Sequence, residues 1–130
     1  MKNIWLALCL IAGVATAQNS KVTPLMTKDL AAALIAAAPQ EGAMTTVEYE
    51  PGASSAAHRH NAYVFVYVLE GSVVMQVKGG KEVTLNPGET FYESPGDIHS
   101  VSRNASKTNR AKILVFMVKK KGAPVTLPAN

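Results

Sequence analysis

The chain of 130 residues has room for one domain with a single hydrophobic core and is too short for two. Its formal net charge of +4 comes from 13 basic and 9 acidic residues, and the basic residues are scattered apart from the run at 119–121. The sequence lacks the arginine-rich stripe and the platform of stacking aromatic residues that nucleic-acid-binding proteins display. Composition and charge therefore argue against a two-domain protein and against a nucleic-acid partner.

The first 17 residues have the three parts of a secretory signal peptide. Lys2 supplies a cationic start, an apolar run follows at residues 4–15, and Ala-Thr-Ala at 15–17 fits a small-x-small cleavage site. An apolar run of about a dozen residues is too short for a membrane span, which needs roughly twenty. We therefore expect cleavage after Ala17, export to the periplasm or the medium, and no membrane partner for the mature protein.

The leader also contains Cys9, the only cysteine of the sequence. An uncleaved anchor helix and a lipoprotein modified at Cys9 are the alternatives, but Leu8 is bulky where a lipoprotein site has a small side chain. Removal of the leader leaves a mature chain that has no disulfide and no thiolate chemistry. That chain carries twelve basic and nine acidic residues, because only Lys2 is lost, and its net charge is +3.

Residues 18–42 form an N-terminal segment in which we predict one short helix. Thr27 is a suitable N-cap, Asp29 lies in the first turn, strong helix formers follow, and Pro39 ends the pattern. The alanine-rich face of this helix is expected to pack against the domain rather than to bind a partner.

From Ala43 onward the chain consists of short runs rich in valine, tyrosine, phenylalanine and threonine, separated by glycine and proline turns. Turn signals at spacings of roughly eight to twelve residues are typical of an all-β sandwich or barrel. We predict such a domain over residues 43–122, followed by a C-terminal tail at 123–130. The predicted strands cover residues 43–50, 56–60, 62–70, 72–78, 81–85, 90–94, 98–104 and 111–119.

The strand predicted at 62–70 is apolar on both faces. Side chains alternate across a strand, so Val64, Val66 and Val68 share one face, and the opposite face carries a row of aromatic residues, Tyr63, Phe65 and Tyr67. We expect one face inside the barrel and the other against a second sheet or subunit. A homodimer is therefore predicted, since the aromatic row would otherwise leave an exposed apolar patch.

All three histidines of the sequence lie in two turn-bounded stretches. His58 and His60 point to the same side of a strand, roughly 7 Å apart along the backbone, and can approach one ion at about 2 Å from each ring nitrogen. His99 follows the turn at Pro95-Gly96, from which an antiparallel strand can bring it to the same place. The alternatives are hydrogen-bonded core histidines and a histidine pair on a surface loop.

The stretch around the histidine pair resembles the first motif of the cupin family, which reads glycine, five residues, His-x-His, three or four residues, glutamate, six residues, glycine. The matching positions are occupied by Gly52, His58, His60 and Gly71. Val64 occupies the place of the glutamate.

A later stretch resembles the second cupin motif, which reads glycine, five residues, Pro-x-Gly, two residues, histidine, three residues, asparagine. The matching positions are occupied by Gly88, Gly96 and His99. Ser94 stands in place of the proline, and Arg103 stands where the asparagine is expected, with Asn104 one residue later. The resemblance spans about residues 43–119, most of the mature chain.

This resemblance implies an all-β double-stranded β-helix, the cupin jelly roll, with one divalent metal ion bound inside. The implied metal ligands are His58, His60 and His99. The family's glutamate ligand is not carried over, because Val64 stands in its place, so the implied site is a three-histidine variant. Imidazole ligands leave iron, manganese, zinc and nickel open as the metal.

The resemblance also singles out Glu93, six residues before His99. Neutral imidazoles leave the charge of a divalent ion uncompensated, which favours an anionic ligand or a substrate that chelates through oxygen. Three-histidine cupins such as β-diketone-cleaving dioxygenases look similar in having an acid near this place. Glu93 is thus a candidate acid or base beside the metal, or a replacement ligand, and an exposed glutamate at a strand end is the alternative.

Two further residues are expected at a substrate pocket. Val64 stands at the position of the missing ligand. Arg103 has the same strand parity as His99 and is expected at the pocket mouth, where a guanidinium would suit an anionic substrate.

Two classes of function follow from these expectations. The first is a metal-dependent enzyme of the dioxygenase type that acts on a small oxygen-chelating organic molecule. The second is a non-catalytic periplasmic cupin that holds a metal ion or a small ligand. The fold does not distinguish them, because one jelly roll hosts many functions.

Overall fold

A computed structural model describes residues 25–26 and 39–130 of the chain. The signal peptide predicted at 1–17 and the helix predicted from Thr27 lie outside the described residues. The described part contains nine β-strands: β1 Gln40–Tyr49, β2 His58–Arg59, β3 Ala62–Glu70, β4 Val73–Val77, β5 Val83–Leu85, β6 Thr90–Glu93, β7 Ile98–Asn104, β8 Ala111–Lys120 and β9 Leu127–Pro128. In this part of the chain, no helix has the length and apolar character needed to cross a membrane.

The strands form two antiparallel sheets. The first has the order β1-β8-β3-β6 and the second has the order β5-β4-β7-β2-β9. Most neighbouring strands in these sheets are far apart in the sequence. For example, β1 pairs with β8 and β2 pairs with β7. The predicted all-β jelly roll is confirmed by this arrangement.

The core lies between the inner faces of the two sheets. On β3, the side chains of Val64, Val66 and Val68 are buried, as the alternation in the sequence predicts. The neighbouring strand β8 buries every second residue in the same way, including Ile113 and Val115. Full burial of one such side chain contributes roughly 1.5–3 kcal/mol to stability, so these alternating rows hold the sheets together.

The outer face of the first sheet carries an aromatic cluster. The ring of Phe65 lies 5.3 Å from Tyr92 and 6.2 Å from Phe116, measured between ring centroids. Phe116 is 37% exposed, and Met44 on β1 is 68% exposed. The outer face of the first sheet is therefore covered only in part within the described chain, although Tyr63 of β3 is buried.

Two of the eight predicted strands have the predicted bounds, and the other six differ by one to three residues at one or both ends. The bounds of β3 and β7 agree with the prediction. β1 begins at Gln40, three residues earlier than predicted, and β8 ends one residue later. Residues 123–130 were predicted to be a tail, but they contain β9, in which Pro128 pairs with His58.

Candidate metal centre

The three histidines come together on the inner face of the second sheet. His58 on β2 and His99 on β7 are directly opposite each other in the antiparallel register. His60 follows β2 directly, and its ring centroid lies 4.9 Å from that of His58. One nitrogen from each of the three rings lies within 4.8 Å of the other two. The convergence predicted from the sequence is therefore present.

A tight turn between β6 and β7 sets this geometry. Gly96 has a φ of 87°, a left-handed conformation that glycine adopts without steric cost. Its backbone N–H donates to the carbonyl of His60 at 2.9 Å, and the side chain of Asp97 accepts from the N–H of Ser94 at 2.8 Å. The turn thus ties the start of β7 to the end of the His-x-His segment.

Backbone carbonyls determine which nitrogen of His58 and His60 is available to an ion. Nδ1 of His58 lies 2.8 Å from the carbonyl of Ala56, and Nδ1 of His60 is hydrogen-bonded to the carbonyl of Val125. A carbonyl only accepts hydrogen bonds, so Nδ1 carries the proton in both rings. Each Nε2 therefore presents a free lone pair, which is the form of imidazole that binds metals.

For His99, the group beside Nδ1 is the carboxylate of Glu93 and not a backbone carbonyl. Its Oε1 lies 3.1 Å from Nδ1 of His99, and the glutamate is only 2% exposed, so it is not an exposed residue at a strand end. A carboxylate in this position accepts the Nδ1 proton and leaves Nε2 of His99 as the donor atom. All three imidazoles are thus prepared to bind through Nε2.

Two buried side-chain atoms of the described residues have no hydrogen-bond partner, and both belong to this cluster. They are Nε2 of His99 and Oε2 of Glu93. Oε2 also lies 4.0 Å from Nε2 of His60. Buried polar atoms without a partner are rare in folded proteins. A cation among the three Nε2 atoms would satisfy His99, so the residues present fit a divalent metal ion.

Arg103 does not line the cavity. Gln76 pairs with Val101 and Val77 pairs with His99, so Ser100 is an extra residue in β7 and forms a β-bulge. The bulge reverses the alternation after His99, and Arg103 points outward, where its guanidinium lies 3.2 Å from Glu82. The predicted placement of Arg103 at the pocket mouth is therefore wrong.

The same bulge explains the displaced asparagine. Asn104, one residue later than the motif predicts, is buried and points inward. Its amide nitrogen donates to the carbonyls of Tyr49, Glu50 and Asn109, and its amide oxygen accepts from the N–H of Ser106. These bonds join β7 to the loops at the ends of β1 and β8.

A cavity of about 520 Å³ extends from the histidines between the two sheets. This volume is within the range of sites for small organic ligands. Val64 lines the cavity, and most of the other wall residues are also apolar, including Met75, Ile113 and Val115. Glu93 is the only carboxylate in the wall among the described residues.

Part of the predicted C-terminal tail contributes to this wall. We call residues 123–128 the C-terminal strap. Its backbone carbonyls accept hydrogen bonds from three side chains, Lys119, His60 and Arg59. Residues 125–128 line the cavity. The strap contains two prolines and no alternating pattern, so the sequence offered no signal for its role.

Lys119 holds one end of the strap. It is 5% exposed, and its Nζ donates to the carbonyl of Ala123 at 2.7 Å and to the carboxylate of Glu41. The hydrogen bond from Lys119, with a second from the N–H of Gly122, holds the pKa of Glu41 below its ordinary value of 4.5. The buried ammonium is therefore paired, as buried charges must be.

A family model described as a cupin domain matches residues 45–117. These residues include both histidine-containing stretches and extend from β1 into β8. Curated proteins give no match to the chain.

Several solved structures share the fold. The DMSP lyase DddQ from Ruegeria pomeroyi DSS-3 matches with a TM-score of 0.58 and 20% identity, over 67% of this chain and 42% of that chain. An oxalate oxidase in complex with the substrate analogue glycolate matches with a TM-score of 0.53 and 26% identity, over 58% of this chain and 41% of that one. The polyketide cyclase RemF from Streptomyces resistomycificus matches with a TM-score of 0.56 and 22% identity, over 68% and 61% of the two chains. The present chain thus spans less than half of the lyase and of the oxidase.

Proposed function

The chain belongs to the cupin domain family, and we propose that it binds one divalent metal ion through His58, His60 and His99 and acts on a small organic molecule that coordinates through oxygen. The observation that carries the proposal is the set of three Nε2 lone pairs, oriented by hydrogen bonds at the opposite nitrogen of each ring. Such outer hydrogen bonds orient the ligands of metal sites and raise their basicity.

The donor atoms narrow the choice of metal ion but do not identify a single metal. Three imidazoles beside a carboxylate suit iron, manganese, zinc and nickel. A divalent ion in such a site polarises a coordinated oxygen and makes a coordinated water or enol more acidic. We propose that Glu93 stays beside the ion, because its Oε1 is engaged by His99.

We propose Glu93 as the residue that accepts a proton from a bound ligand. Its Oε2 has no hydrogen-bond partner in the described structure and lines the same cavity as the histidines. A general base must lie within hydrogen-bond reach of the proton that it accepts. Oε2 lies 4.0 Å from Nε2 of His60, so a ligand oxygen bound between these two atoms would lie within that reach.

The charge and shape of the cavity favour an anionic or enolisable oxygen ligand. Three neutral imidazoles and one carboxylate would leave a divalent ion with one positive charge, which a carboxylate or an enolate neutralises. The oxalate oxidase that shares the fold has been solved with glycolate, a small molecule with carboxylate and hydroxyl oxygens, which supports this class of ligand. We propose a dioxygenase-type reaction as the first candidate.

The second candidate is binding without catalysis, by a module exported to the periplasm or the medium. It is favoured by the composition of the cavity wall, where Glu93 is the only carboxylate among the described residues and the remaining surface is largely apolar. We propose in either case that two chains associate through the outer face of the first sheet, where Phe116 and Met44 are exposed.

Oxygen uptake distinguishes the two candidates. The mature protein is loaded separately with Fe(II) and Mn(II) and mixed with a panel of β-diketones and phenols. An enzyme of the proposed type consumes oxygen with at least one compound, and the Glu93→Gln variant, which retains a hydrogen-bond acceptor for His99 but loses the base, consumes it more slowly. Binding of a compound without oxygen uptake favours the second candidate.

A further inference from the structure

A cluster of three hydroxyl groups lies in the wall of the same cavity. The hydroxyl of Tyr49, on β1 of the first sheet, lies 2.7 Å from Oγ of Ser102, on β7 of the second sheet. It also lies 3.3 Å from Oγ of Ser55. We call these three residues the hydroxyl cluster. Tyr49 and Ser102 are buried, Ser55 is exposed, and all three line the cavity.

The hydroxyl cluster has one proton more than its own hydrogen bonds use. Three hydroxyl groups carry three donor protons, whereas the cluster contains two contacts, each of which uses one proton. Neither serine hydroxyl has another hydrogen-bond partner among the described residues apart from Tyr49. One O–H is therefore available to a ligand in the cavity, together with free acceptor lone pairs.

The hydroxyl cluster lies a short distance from the histidines. Ser102 follows His99 by three residues on β7, and Ser55 precedes His58 by three residues on the adjoining segment. Three residues of extended chain span about 10 Å, so Ser102 lies within about that distance of His99, and Ser55 within about that distance of His58, measured between Cα atoms. The cavity of about 520 Å³ thus has two polar regions in a largely apolar wall.

We propose that the hydroxyl cluster recognises the distal oxygen of the ligand. The ligand class is then a small bifunctional acid: a carboxylate approaches the histidines, an apolar body fills the cavity, and a hydroxyl or carbonyl oxygen reaches Tyr49 and Ser102. This assignment rests on the proposed metal function, because the carboxylate is oriented by a metal ion at the histidines. Tyr49 acts as a specificity-determining residue.

The test compares acids that differ only in the distal oxygen. Zinc-loaded mature protein is titrated by calorimetry with hexanoate and 6-hydroxyhexanoate, and with benzoate and 4-hydroxybenzoate. One neutral hydrogen bond predicts that the hydroxylated acid of at least one pair binds roughly 2- to 12-fold more tightly. Tyr49→Phe and Ser102→Ala should each reduce this preference, whereas Tyr67→Phe should retain it, because Tyr67 lies on the outer face of β3.

The results distinguish failure of the metal function from failure of the role proposed for the hydroxyl cluster. Failure of the protein to bind zinc, Fe(II), Mn(II) and Ni(II) alike refutes the metal function and with it the recognition of a bifunctional acid. If zinc binds and the wild-type protein shows no preference in either pair, the role of the hydroxyl cluster alone is overturned. A preference that persists in both cavity variants overturns it as well. A purely structural role of Tyr49 would lower stability without changing the ratio of the two affinities.

Discussion

Val64 and Glu93 lie directly opposite each other on the adjacent antiparallel strands β3 and β6. Directly opposite residues project from the same face of a sheet, and both of these side chains line the cavity beside the histidines. The first cupin motif has a glutamate where this chain has Val64. A carboxylate is therefore present at nearly the same place, supplied by the neighbouring strand, and it contacts Nδ1 of His99 at 3.1 Å.

Substitutions of Glu93 test whether it orients His99 or binds the metal itself. Removal of an outer hydrogen bond to a metal ligand typically lowers metal affinity by about 10- to 100-fold. Glu93→Ala should show a loss of this size. Glu93→Gln retains an acceptor for Nδ1 of His99 and should lose less, as measured by competition with a fluorescent zinc chelator. Equal, large losses in both variants would instead identify Glu93 as a ligand.

Val64→Glu restores the family's acid next to Glu93. Without metal, the second buried carboxylate should destabilise the protein by roughly 2 kcal/mol or more, because it has no partner. Added Mn(II) or Zn(II) should rescue the melting temperature of this variant by more than it raises that of the wild type. Val64→Gln is the matched control for size. A variant that melts early with and without metal would show that the coordination sphere is already closed.

Removal of the C-terminal strap should weaken the site while leaving the barrel folded. A stop codon after Gly122 deletes the carbonyl that accepts the Nδ1 proton of His60 and deletes strand β9. We expect a decrease in zinc affinity of about 10- to 100-fold, with the β-sheet signal in circular dichroism retained. Val125→Ala preserves the backbone carbonyl and is the control. A truncated protein with unchanged affinity would exclude this role of the strap.

The ion pair between Glu41 and Lys119 predicts a pH-dependent contribution to stability. The pKa of Glu41 is lowered in the folded protein, chiefly by the hydrogen bond from Lys119. Its contribution is therefore present above the ordinary value of 4.5 and is lost as the pH falls through the lowered pKa. Denaturant unfolding should find Glu41→Gln less stable than wild type at neutral pH, with the difference shrinking in acid. A difference that is independent of pH would contradict this linkage.

The sequence predicted the strands well where the pattern is regular. In β3 valine alternates with aromatic residues from Tyr63 to Val68 and Gly71 follows its end, so its bounds were predicted correctly. The three histidines were predicted to converge because they occupy recognisable motifs. Glu93 was identified as a candidate, but its contact with His99 depends on the register of β3 and β6, which is a long-range property.

Two features of the site were outside the reach of local patterns. The bulge at Ser100 turns Arg103 away from the cavity and Asn104 towards the interior, and strict alternation predicts the opposite orientation for Arg103. The C-terminal strap joins the site because Lys119 and His60 bind its carbonyls. Every residue has a backbone carbonyl, so the sequence does not indicate which carbonyls accept these hydrogen bonds.

The metal content of the protein purified from its own cellular compartment tests the central claim most directly. Elemental analysis should find about one divalent ion per chain in the wild type and in Arg103→Ala, whose side chain lies outside the cavity. His58→Ala and His99→Ala should lose most of the metal while circular dichroism still reports a folded β-protein. An unchanged metal stoichiometry in both histidine variants would contradict the three-histidine site.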